Sequence, residues 1–98
     1  MSMFTTRVEL HHASDSDYTT LHQAMEAEGF ARVIKGSNGV WYHMPHAEYD
    51  RTTTSSIEEV RLSAQRAATK TGRSHSVFVT EAVQRAWIGL PLVQYANR

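Results

Sequence analysis

The chain has 98 residues, 41% hydrophobic and 20% charged, which excludes both a disordered tail and a membrane span and leaves room for one domain over 1–98. It has no cysteine, so disulfides and thiolate metal sites are excluded and a reducing cytoplasm is the simplest address. Ten Lys+Arg balance ten Asp+Glu, which argues against avid, non-specific binding to phosphate backbones. The zero hides an asymmetry. Residues 1–50 carry three basic and seven acidic side chains, and residues 51–98 the reverse.

The N-terminus lacks an apolar signal core, so nothing there points to export. Phe4, Thr6, Val8 and Leu10 alternate with Thr5, Arg7, Glu9 and His11, which predicts a half-buried strand. Ser14 and Asp17 read as a capped helix start. Tyr18, Leu21, His22 and Met25 then share one helical stripe, His22 as a packed histidine, and Gly29 ends the helix. Phe30–Ile34 reads as a second strand. Asn38-Gly39 marks a tight turn in which both residues tolerate positive φ.

Val40–Met44 is a third strand that bends, bulges or lies at an edge because of Pro45, and His46–Tyr49 could continue it. Arg51–Ser56 is polar, without an apolar anchor, and reads as a mobile loop. Ser55 with Glu58, or Ser56 with Glu59, fits a second capping box. Ile57, Val60, Ala64, Ala67, Ala68 and Thr71 form a narrow stripe of mostly small residues, closed by Gly72. Ser76–Glu81 is a strand, and Arg85–Leu90 an added one, with a helix over 80–88 as the alternative.

The order predicts an α+β, ferredoxin-like β-α-β-β-α-β two-layer sandwich with an additional C-terminal strand and strand order 4-1-3-2. Trp41, Val77 or Phe78, and Trp87 cannot all face the helices. The other sheet face is therefore expected to meet a partner, a homodimer through that face or the C-terminal strand being the simplest.

If the first and third strands pair, Arg7, Glu9, His11 and His43 share the open face. A carboxylate, a guanidinium and histidines in mutual reach suit metal-independent acid–base cleavage of a phosphodiester. Solvent-facing cross-strand charge pairs are the plainer reading. Arg61, Arg66, Lys70 and Arg73 could track a phosphate backbone, or form a solvated helix face. Trp41 could stack on a base of single-stranded RNA, or pack at an interface. His43-x-x-His46-x-Glu48 has metal-ligating residue types, but residue 43 lies off the face of 46 and 48, so no metal or cofactor is assigned.

Five segments carry a resemblance: Phe4-Thr-Thr-Arg-Val-Glu-Leu-His11, Asp17-Tyr-x-x-Leu-His22, Met25-x-x-x-Gly29-Phe30, Tyr42-His43-x-Pro45-x-x-Glu48-Tyr49 and Ser76-Val-Phe-Val-Thr-Glu81. Over about residues 3–92 the chain resembles the family named after the GhoS endoribonuclease antitoxin of type V toxin–antitoxin systems. The resemblance implies a ferredoxin-like fold similar to small CRISPR-associated nucleases, and cleavage of a membrane toxin's messenger. Those nucleases place an acid at the end of the first strand. Here the stretch is Leu10-His11-His12 and the nearest acid is Asp15, so a route through His11, His43, Glu9 and Arg7 fits better than a shared metal. A non-catalytic protein-binding module, such as a small inhibitor carried by a mobile element, stays open beside this reading.

Overall fold

A computed structural model describes residues 1–94. Strand β1 (Ser2–Leu10) places Phe4, Thr6, Val8 and Leu10 inside, as the alternation predicts. Helix α1 (Asp15–Ala27) starts in a capping box: Asp17 N–H donates to Ser14 Oγ, and Ser14 N–H donates to the Asp17 carboxylate. Gly29, at φ +94°, turns the chain out of the helix. A Cβ there would meet the Arg51 guanidinium at 3.4 Å.

Strands β2 (Val33–Lys35) and β3 (Trp41–His43) form a short antiparallel hairpin. Both are shorter than the sequence suggests, and only Gly39 of the turn has positive φ. Asn38 instead accepts a bond from the Val40 N–H. Strand β4 (Glu48–Thr53) follows. Helix α2 (Ile57–Thr69) is capped by Ser56 and Glu59, and Gly72 at φ +75° closes the turn after it. Strand β5 (His75–Ala82) comes last.

The main sheet is antiparallel in the order β4-β1-β5, with Arg7 opposite both Glu48 and Phe78. Two backbone bonds between Ala31 and Asp50 bring the segment before β2 alongside β4. Both helices contribute to one core that includes Phe4, Val8, Leu21, Met25, Tyr49 and Val60. Ala64, Ala67 and Ala68 of α2 are fully buried, so the small-residue stripe lets this helix lie close to its neighbours. The result is an α+β fold of two helices and antiparallel sheets, compatible with a two-layer sandwich. Among the described residues no helix is long and apolar enough to cross a membrane.

Three expectations fail here. Residues 40–49 are not one continued strand. Ala47 adopts φ +63°, and its carbonyl accepts from Val8 N–H, so the chain turns between β3 and β4. β4 alone therefore pairs with β1. Arg51, Thr52 and Thr53 are not a loop but the second half of β4, where β-branched Thr suits a pleated surface. Arg85–Leu90 forms neither strand nor helix. The pairing comes later, where Val93 N–H donates to Trp41 O and His43 N–H to Pro91 O.

Candidate nucleic-acid interface

Side chains directly opposite one another in an antiparallel sheet share a face. The face turned from the helices therefore carries Met3, Thr5, Arg7 and Glu9 of β1, Glu48, Asp50 and Thr52 of β4, and Ser76, Phe78 and Thr80 of β5. His11 extends it beyond the end of β1. Its ring lies between two hydroxyls, Nδ1 3.2 Å from Ser74 Oγ and Nε2 3.3 Å from Ser76 Oγ. Nε2 is also 3.8 Å from the Glu9 carboxylate. Beside these groups Phe78 is 71% exposed, although phenylalanine is normally drawn inside.

Three of the four expected catalytic residues, Arg7, Glu9 and His11, thus share one face. His43 does not join them. The expectation required residues 40–44 to pair with β1, whereas His43 stands in β3 opposite Val33. The other end of the face is closed by Arg85, whose guanidinium donates to Asp50 at 2.7 Å and to Thr5 at 3.2 Å. That ion pair is mostly buried, and it neutralises one acid of the face.

The expected basic stripe is largely neutralised. Arg61 pairs with Glu58 at 3.1 Å and Arg66 with Glu28 at 3.0 Å. Arg73 pairs with Asp17 at 2.8 Å. The Arg66 bond holds the Glu28 carboxyl below its usual range and raises the guanidinium in turn. Lys70, the C-cap of α2, has no ion pair among the described residues. Trp41 stands on the hairpin, away from α2, with the Lys35 ammonium 6.0 Å from its ring centroid.

Two features go beyond the sequence reading, which gives His22 as a packed histidine but not its partners. One is an aromatic cluster formed where α1 meets β4. His22 Nδ1 lies 2.7 Å from the buried Tyr49 hydroxyl, and the Tyr18 ring packs 4.6 Å from that of His46. Burial, with the charges of Arg32 and His46, lowers the His22 pKa from 6.5 to about 4. Burial raises that of Tyr49. At neutral pH a neutral phenol and a neutral imidazole therefore share this bond. The folded pKa lies below the unfolded one, so the stability His22 contributes is complete above pH 6.5 and is lost as pH falls toward 4. The loss is about 1–2 kcal/mol after allowance for solvent screening. Urea midpoints at pH 7 and pH 4.5 should show this decline, and a His22→Gln variant should flatten it. A midpoint independent of pH across that window would contradict the assignment.

The other is a cavity of about 540 Å³ between the hairpin and residues 83–87, reaching Met3 at the Arg85 end of the open face. No family model matches the chain, and no curated protein is significantly similar to it. Among the described residues no three His, Asp or Glu side chains gather as metal ligands, and His46 packs instead on Tyr18.

Proposed function

We propose that this chain is a ferredoxin-like protein that binds single-stranded RNA on the open face of its β4-β1-β5 sheet and cleaves it by acid–base chemistry at His11. One observation carries the reading: Arg7 and Glu9 on β1 and His11 just past its end line one face, with the exposed ring of Phe78 beside them. An exposed aromatic on an open sheet is a stacking platform for an unpaired base. Arg7 beside it supplies a cation for one phosphate.

In the cleavage step the His11 imidazole removes the proton of a ribose 2′-hydroxyl. The 2′-oxygen attacks the adjacent phosphorus, and the P–O5′ bond breaks. One product ends in a 2′,3′-cyclic phosphate, and the leaving 5′-oxygen takes its proton from solvent. Arg7 offsets the charge that develops on the phosphoryl oxygens, and Glu9 orients the imidazole. With Asp50 held by Arg85 and most of the α2 cations held in pairs, few phosphates are contacted, so binding depends only weakly on salt.

The reading is tested by fluorescence anisotropy with a labelled 12-nucleotide single-stranded RNA. Phe78→Ala is expected to weaken binding about 5- to 150-fold, the worth of about 1–3 kcal/mol of stacking. Unchanged affinity in Phe78→Ala, or no binding by the parent protein, contradicts the proposal.

A further inference from the structure

We infer that the cavity between the β2–β3 hairpin and residues 83–87 is a slot for one unpaired nucleobase; this rests on the RNA reading and extends it to a second contact. Its volume, about 540 Å³, falls within the roughly 300–1,000 Å³ of small-molecule sites. Two rings wall it: Tyr42 and Trp87, with centroids 5.7 Å apart and planes at 68°. They offer a flat apolar surface and an edge, the geometry a planar heterocycle stacks against.

The space depends on Gly36. A Cβ at that position would lie 2.8 Å from Asn38 Oδ1, 3.2 Å from Tyr42 Cε2 and 3.5 Å from Trp87 Cζ2. Two charged residues, Lys35 and Arg85, line the slot. Asn38 and Gln84 supply side-chain amides, and Arg85 is paired with Asp50. Lys35 lies opposite Trp41, on the hairpin face away from Tyr42, with its ammonium over the Trp41 ring. With the Lys35 ammonium at Trp41 and Arg85 held by Asp50, the amides suit the hydrogen-bonding edge of an uncharged base better than a phosphate.

Position supports the same occupant. Met3 lines the cavity and belongs to the open face, and Arg85 lines it while bonding Thr5 and Asp50 of that face. Along β1, Met3 is about 13 Å from Arg7, a span that a few nucleotides cover. One strand can thus stack a base on Phe78 and lodge another in the slot.

The test uses a Trp41→Phe background, in which Trp87 is the sole tryptophan. Adenosine monophosphate is titrated against its fluorescence. Saturable quenching is expected, and Gly36→Ala should weaken it at least tenfold while the thermal unfolding midpoint stays within a few degrees. The hairpin lies outside the main core, so the fold should tolerate this change. A second variant, Ala86→Trp, narrows the slot from its other wall and should weaken binding in the same way, judged by anisotropy with fluorescent adenosine monophosphate. No quenching, or undiminished binding in both variants, overturns the slot. RNA that binds with Phe78-dependent affinity yet leaves Trp87 fluorescence unchanged also overturns the slot while the open-face reading stands. Quenching by the mononucleotide without RNA binding by the parent protein upholds the slot and rejects the open-face reading.

Discussion

His11→Ala is expected to lower the rate of RNA cleavage by about 10²- to 10⁴-fold, the usual worth of a positioned general base. The loss should appear in the cleavage rate and far less in RNA affinity. Stacking is assigned to Phe78 and phosphate contact to Arg7, and neither depends on the imidazole. His43→Ala should leave the rate within about twofold, because β3 holds His43 outside the sheet that carries Arg7 and Glu9. Parent-protein products should end in 2′,3′-cyclic phosphate, resolved by gel mobility before and after acid treatment. Full activity in His11→Ala, or loss in His43→Ala, would assign the chemistry elsewhere.

Leu21→Ala is expected to have the largest effect on stability. Leu21 is fully buried on α1 within the main core. Truncating such a leucine costs about 2–5 kcal/mol, the lost transfer energy plus the cavity left behind. A domain of this size is stable by about 5–15 kcal/mol, so one substitution removes a large fraction of the total. The urea midpoint should fall in proportion with an unchanged slope. Phe78→Ala should leave the midpoint nearly unchanged, because its ring covers little of the core. The pair separates a side chain the fold needs from one it leaves exposed.

Much of the fold is legible in local chemistry. Ser14 with Asp17, Ser56 with Glu59, and the glycines at 29 and 72 mark helix ends through bonds made within a few residues. The period of two in β1 reports its buried face. The division of 40–49 is not legible, because it rests on Ala47 in the left-handed region, a conformation alanine seldom adopts. Arg51–Thr53 reads as polar loop because one strand of a half-buried sheet can be polar on both sides of its pleat. Its Arg51 guanidinium is sheltered over the Phe30 ring, 5.2 Å from the centroid.

The site divides in the same way. Arg7, Glu9 and His11 are recognisable because their alternation runs along β1 and one step past its end. The basic stripe misleads because two of the acids that neutralise it, Glu28 and Asp17, lie 38 and 56 residues from Arg66 and Arg73. The cavity is invisible in sequence, since its walls come from Met3, residues 34–38, Tyr42 and residues 83–87 and meet only in the folded chain.

The central claim, that RNA lies along the open sheet face, is tested most directly by following backbone amide resonances of the protein during titration with single-stranded RNA. Shifts should concentrate at Thr5, Arg7, Glu9, Ser76, Phe78 and Thr80, and leave Arg61, Arg66 and Lys70 of α2 nearly unmoved. Shifts confined to α2, or none at saturating RNA, would contradict the account.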